Sequence, residues 1–263
     1  MEPVSEDLGL LAVEQFREQM NNLTAAVQLL TPVVREKAGP QYESYLAILH
    51  QSLYRMMRMV GNLEFLQLPE EELPVEEGSL DLAGLCRALC RQVEALAAQA
   101  GLNFSYEEET ASLITRGDGT LLRRMLLCLF SNAFKAAGQE GNAGLRLAVR
   151  ESRAILTVWD DGPGLLPPEP EETSLLSRHD GLGLGLRVAR RIVARHGGTI
   201  VFEQREERGC RAVVSLPLIK PEGDGLLRTP GPAWDREGGF SDLMVELSAV
   251  LPYQAFLPAD LEE

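Results

Sequence analysis

Two glycine clusters bracket one stretch, Val158 to Leu186, and they restrict what this chain can fold into more than any other feature. The run Ile155 to Trp159 reads as a buried strand, and it ends in Asp160-Asp161-Gly162-Pro163-Gly164. Gly181, Gly183 and Gly185 alternate directly before a run of helical periodicity. A carboxylate at a strand end can accept an exocyclic amino hydrogen from a purine. Glycines at a helix start let backbone N–H groups approach phosphate, where the helix N-terminus favours negative charge. One stretch can therefore hold both ends of a nucleotide. The Pro- and Glu-rich loop between the clusters makes two unrelated glycine turns the poorer reading.

The chain has 263 residues, enough for one large or two modest domains with tails. Its formal net charge of -14 disfavours bulk attraction to nucleic acid or to an anionic membrane. No apolar run approaches the roughly 20 residues that span a bilayer, and the N-terminus MEPVSEDLGLL is acidic where a secretory signal would be basic. Cys86, Cys90, Cys128 and Cys210 form no CxxC pair, and Cys86 and Cys90 read as core thiols one helical turn apart. These features predict a cytoplasmic chain with no direct membrane insertion.

From about Ser5 to Ala38 the chain carries heptads. Val13, Met20, Val27 and Val34 mark one seam position, and Phe16, Leu23 and Leu30 the other; Pro32 predicts a kink. After the Gly39-Pro40 break, Tyr42, Leu49, Met56 and Leu63 alternate with Leu46, Leu53 and Val60. The pattern predicts an antiparallel helical hairpin, and two helices alone bury so little that pairing with a second copy into a four-helix bundle is the natural solution. The acidic, proline-bearing residues 69–79 read as a linker. A helix from about Leu82 to Gln99 follows, then short strands at Leu102–Tyr106 and Ser112–Thr115, read as a hairpin. A further helix, N-capped by Asp118 or Thr120, runs to about Ala137. Leu145–Arg150 and Ala154–Trp159 read as paired strands, Leu184–Arg195 as a helix, and Thr199–Gln204 with Ala212–Leu218 as a last hairpin. Lys220 to Gly239 is rich in Pro and Gly and reads as disordered, before a short amphipathic helix at Ser241–Leu251.

Asn132 and Lys135 are polar residues three apart in the apolar run Met125–Ala137, so they share a helix face. An amide oxygen can ligate Mg2+, and an ammonium can meet a phosphate oxygen. In chain order, NAFKAA, DDGPGL and GLGLGL resemble the N, G1 and G2 boxes of GHKL-type ATPases. Arg195-His196-Gly197-Gly198-Thr199-Ile200 and Gly209 with Leu216-Pro217 are similar to the closing segments of the sensor histidine kinase branch, and the heptad hairpin resembles its dimerisation and phosphotransfer region. The resemblance implies an α+β chain: a helical hairpin at 1–68, the linker at 69–79, a two-layer α/β ATP-binding domain at 80–218, and a linker with a short amphipathic segment at 219–263. It also implies roles. Asn132 would ligate Mg2+ and Lys135 would meet a phosphate. Asp160 would take the adenine amino group, with Gly162 and Gly164 giving the base room. Gly181, Gly183, Leu184 and Gly185 would line the phosphates of ATP, and Leu166–Asp180 would be the lid, with His179 in it.

Where this branch has a phosphoacceptor motif reading roughly His-Glu-Leu-Arg-Thr-Pro-Leu, alignment on the heptads gives Arg17-Glu18-Gln19-Met20-Asn21-Asn22-Leu23. A guanidinium is always protonated and cannot act as that nucleophile; the acidic neighbour, Glu18, is retained. An alternative alignment on Leu29, Thr31 and Pro32 puts Val27 there, with too little helix before Gly39. The earlier N-box asparagine is Cys128. His50 flanks the second seam, which predicts exposure, and it sits opposite about Leu29, roughly 18 Å along the axis from Arg17 at about 1.5 Å per residue. His196 ends a helix, where capping or packing is expected. Three functions remain open at this level. One is a two-component signalling protein that binds ATP but is degenerate in histidine autophosphorylation. Another is a non-catalytic dimeric scaffold that docks a response regulator or sensor protein. The last is an anti-sigma-type protein-serine kinase.

Overall fold

The computed structural model describes residues 3–38, 42–69, 76, 78–164, 183–220 and 240–257, with side chains in the first helix described from Leu11 to Glu36. The loop Leu166–Asp180 with His179, the glycine Gly181, the Gly39-Pro40 break and the stretch 221–239 lie outside the described residues. The chain divides into two compact units, residues 1–73 with 244–263, and residues 74–243.

In the first unit, α1 (Pro3–Ala38) packs on α2 (Glu43–Gln67). α1 is one continuous helical segment through Pro32. Only one of its two heptad lines is covered: Val13 and Val27 are buried together with Thr24 and Thr31, whereas Phe16, Leu23 and Leu30 are 67%, 45% and 57% exposed. On α2, Leu46, Leu53 and Val60 are buried and Leu49 is 40% exposed. The sequence expectation for His50 was wrong. It is buried, because it lies between Leu46 and Leu53 on the side of α2 that meets Thr31. The tail segment from Met244 belongs to this unit; α6 (Asp242–Leu247) and a 3-10 turn at Tyr253–Phe256 are shorter than the expected helix, and the turn packs on α2.

The second unit is a five-stranded sheet with a helix layer. The strands are β2 (Asn103–Glu108), β4 (Asn142–Arg150), β5 (Arg153–Asp160), β6 (Thr199–Gln204) and β7 (Cys210–Pro217), in the order β2-β4-β5-β7-β6; β2 and β4 are parallel and the other pairs antiparallel. The helices are α3 (Leu82–Gln99), α4 (Gly119–Ala137) and α5 (Leu184–Arg195). α4 is the centre: it packs on β4, β5, α3 and α5, and it is buried almost all round, from Leu121 to Phe134. Phe104 of β2 meets Phe130 and Phe134 of α4 edge-on, with centroids 5.2 and 5.6 Å apart, the geometry that ring quadrupoles favour. Asp118 caps α4, accepting from the Thr120 and Leu121 N–H groups at 2.9 and 3.0 Å. Cys86 and Cys90 are buried in α3, and burial raises both thiols.

The expected hairpin between residues 102–106 and 112–115 does not form. β2 runs parallel to β4, and β3 (Ile114–Gly117) pairs with β1 (Gly78–Asp81) in a separate two-stranded sheet, starting inside the stretch read as a linker. The pairing of β2 is long-range, with Asn103 opposite Asn142. At the end of β2, Glu108 pairs with Arg87 of α3 at 2.7 Å, and the next residue, Glu109, with Arg146 and Arg150 of β4 at 3.0 and 2.7 Å. A period-2 pattern announces a strand without naming its partner.

Candidate nucleotide site

Asp160 ends β5. Alternation along that strand buries Ala154, Leu156, Val158 and Asp160 on one face, so the same period that builds the core delivers a carboxylate to its rim. Its Oδ1 accepts the Gly162 N–H at 2.9 Å and the Cys210 N–H at 3.3 Å; among the described residues none donates to Oδ2. Burial pushes the Asp160 carboxyl above its usual range, opposed by those two N–H groups and by Arg205, and reinforced by Asp161. At Asp161 burial is outweighed by Asn142, whose side-chain amide and N–H donate at 2.5 and 2.8 Å and hold that carboxyl low.

The turn after Asp160 lies against the end of α4. A Cβ on Gly162 would stand 2.3 Å from the Ala136 carbonyl oxygen, so only glycine allows this approach. Asn132 and Lys135 are exposed on the last turns of α4, an otherwise buried helix, and are thereby brought to the side of the sheet where Asp160 ends. Gly164 follows against the Gln204 side chain. Gly183 is the N-cap of α5 at φ +68°, a left-handed conformation that a side chain disfavours, and a Cβ there would meet nothing within 4 Å among the described residues. Leu184 and Gly185 begin the helix, with Leu184 buried; the cap residue offers no side chain, and no acid stands in the first turn. The first-turn N–H groups of such a helix are free to receive an anion. Because α5 packs on α4, both elements belong to one layer.

Sequence reasoning missed the brace behind Asp160. Arg205 donates to the Asp160 carbonyl at 2.8 Å and lies 4.7 Å over the Trp159 ring, and Arg208 donates to the Gly162 carbonyl at 3.3 Å. Both arginines sit in the β6–β7 turn, and no spacing in the sequence linked that turn to residue 160. Among the described residues no group of three or more His, Cys, Asp or Glu could hold a metal ion. Cys128, at the earlier N-box position, is buried.

In the hairpin, Arg17 is exposed and ion-paired with Glu64 at 3.5 Å, and Glu18 is exposed beside it. Thr31 donates its hydroxyl hydrogen to the Val27 carbonyl at 2.7 Å, so its oxygen accepts from His50 Nε2 at 3.2 Å. Burial makes His50 less basic than a free imidazole. His196 accepts the Asp118 N–H on Nε2 at 3.1 Å and contacts the Ile192 carbonyl through Nδ1 at 2.8 Å, which fits a packing role.

Residues 117–220 match the family described as histidine kinase-, DNA gyrase B-, and HSP90-like ATPase. The chain is 42% identical over 108 residues to the sensor protein KdpD of Escherichia coli (strain K12), covering 38% of this chain and 12% of that one. It spans less than half the length of the curated relatives it matches. Among solved structures, full-length ShkA in complex with AMPPNP superposes with a TM-score of 0.65 at 22% identity, covering 82% of this chain and 47% of that one. Histidine kinase ThkA in complex with the response regulator TrrA gives 0.54 at 23%, covering 81% and 64%. At these identities the two structures speak for the fold alone. Among the described residues no helix is long and apolar enough to cross a membrane. The matched family, the order of the three boxes and the β2-β4-β5-β7-β6 sheet under α3, α4 and α5 agree: the chain contains a GHKL-type ATPase core of the histidine kinase kind.

Proposed function

We propose that this chain binds Mg-ATP at the rim of β5 and acts as a histidine-kinase-like component of a two-component system without phosphorylating its own hairpin. The observation that carries the nucleotide half is Asp160: a buried carboxylate with Oδ1 occupied by backbone and Oδ2 free among the described residues suits an exocyclic adenine amine. Gly162 and Gly164, which lie against Ala136 and Gln204, would keep the turn close-packed beside the base. Asn132 would hold Mg2+, which ATP phosphates bring with them, and Lys135 with the amides around Gly181, Gly183, Leu184 and Gly185 would hold the triphosphate. The bound metal would neutralise phosphate charge.

The hairpin supports the second half. Arg17 stands at the acceptor position and is engaged by Glu64, and Glu18 beside it has no imidazole to activate. His50 is no substitute, since its Nε2 hydrogen is committed to Thr31 and the ring is buried. On this reading residues 1–68 form a dimerisation hairpin, 69–79 a linker, 80–218 the ATP-binding domain and 219–263 an appended segment. The exposed line Phe16, Leu23 and Leu30 fits burial against a second copy, since fully burying such a side chain contributes roughly 1.5–3 kcal/mol. A response regulator is the partner class this architecture suggests.

Incubation with γ-labelled ATP and Mg2+ tests the proposal. Saturating nucleotide at about 100 times its Kd should stabilise the fold by about 2.7 kcal/mol, with no acid-labile label on the chain. No melting shift would overturn nucleotide binding. Label that disappears in a His50→Ala variant would overturn the degenerate hairpin.

A further inference from the structure

The nucleotide reading leaves one set of built contacts unused, and it lies outside the matched residues 117–220. Met244–Leu257 packs on α2 within the first unit. Phe256 is fully buried with its ring 5.2 Å from that of Tyr54. Glu246 accepts from Arg58 Nε at 3.2 Å, with both side chains nearly covered. Gln51 donates to the Leu251 and Ser248 carbonyls at 2.7 and 3.3 Å, and Arg55 to the Ser248 carbonyl at 3.1 Å. Near the end of α6, Val245 and Leu247 accept from the Ser248, Val250 and Leu251 N–H groups, and α2 takes the carbonyls that follow the helix. α2 side chains therefore finish a segment too short to hold itself in water.

Toward the segment, α2 presents Gln51, Arg55 and Arg58 around Tyr54, a cationic and hydrogen-bonding face. The segment presents Leu247, Leu251, Ala255 and Phe256, all buried. It is joined to the ATPase core through residues 221–239, which contain three prolines and five glycines. A covalent tether raises the local concentration of the segment at its site, and Asp242, just before the segment, pairs with Arg123 of α4.

We propose that the Gln51–Arg58 face of α2 is a docking surface for a short, carboxylate-led amphipathic helix, and that the chain's own segment Met244–Leu257 occupies it in cis as a displaceable resident. Glu246 supplies the carboxylate for Arg58, Leu247 and Leu251 the apolar stripe, and Phe256 the aromatic anchor on Tyr54. A partner helix with the same chemistry gains α2 only by displacing the tail.

The test uses the full chain and a labelled peptide of residues 240–257. In wild type, the amides of Leu251, Ala255 and Leu257, which donate within the segment, should exchange slowly at two chain concentrations tenfold apart. Phe256→Ala should speed that exchange at least tenfold while α4 amides, the control for folding, do not change. The peptide should bind the Phe256→Ala chain at least tenfold more tightly than the wild-type chain. Adding Arg58→Glu should abolish that binding, and a Glu246→Arg peptide should restore it. If Phe256→Ala disturbs α4, a full chain carrying Glu246→Arg replaces it with the same expectations. Unprotected tail amides in wild type would overturn the proposal. So would protection lost on dilution, which would put a second copy's tail on α2, or equal peptide binding to wild-type and variant chains.

Discussion

Asp160→Asn separates recognition from folding. The carboxylate Oδ1 takes two backbone donors, Gly162 N–H and Cys210 N–H, which leaves Oδ2 as the acceptor for an adenine amine. An asparagine has one acceptor and one donor group on the same carbon. If its oxygen keeps the two backbone donors, its NH2 faces the adenine NH2; if it flips, its NH2 faces two N–H groups. Either arrangement sets donor against donor. The lost bond to a charged group accounts for about 1.5–3 kcal/mol, or roughly 10- to 150-fold in Kd at about 1.4 kcal/mol per tenfold. Stability should move the other way or not at all. The Asp160 carboxyl is raised above its usual range by burial, so its ionised form is penalised in the folded state at neutral pH, and the amide removes that penalty. Titration calorimetry with Mg-ATP, paired with thermal melting of the nucleotide-free chain, reads both. Unchanged affinity in a variant that melts normally would refute the assignment of Asp160 to the base. Melting that collapses without nucleotide would refute the claim that its charge is a folding cost.

Four further outcomes follow from the same geometry. Gly162→Ala drives a Cβ into the Ala136 carbonyl and should destabilise the fold by about 1–3 kcal/mol in urea unfolding while weakening Mg-ATP; unchanged stability would mean that the turn does not abut α4. Arg205→Ala removes both the Trp159 stack and a charge that holds the Asp160 carboxyl down, so ATP affinity should fail at a higher pH on acidification than in wild type, as a pH series of Kd values would read. Glu109 is held down to about 2 by Arg150 first and then Arg146, below its ordinary 4.5. That contribution is complete above about pH 4.5 and is lost as pH falls toward 2, so Glu109→Gln should flatten the acid limb of the stability curve there. Phe16→Glu with Leu30→Glu should yield a monomer by sedimentation with the ATP affinity unchanged; a wild-type monomer would remove the paired hairpin.

Much of the fold around the candidate site was legible because it rests on local rules. Helix periodicity gave α5 from Leu184 to Arg195, and alternation gave β4 pairing with β5 and β6 with β7. The polar pair Asn132 and Lys135 stood out against an apolar run and is where α4 is exposed. The lid and Gly181 lie outside the described residues. What escaped depends on residues distant in the chain. β2 pairs in parallel with β4, Asn103 opposite Asn142, and local alternation does not name so distant a partner. Heptads alone did not say which line would be covered, so His50 was read as exposed although it meets Thr31.

The order of the boxes, the acidic charge and the hairpin were determined by the sequence itself, since each is a matter of residue type and spacing along the chain. The brace of Arg205 and Arg208 behind Asp160, the contact of Gly162 with Ala136 and the seating of Met244–Leu257 on α2 were decided by tertiary structure alone. The physical reason is the same in each case: a hydrogen bond or a close approach between residues tens to hundreds of positions apart leaves no period in the sequence, and exists only once packing has brought the two groups within about 3 Å.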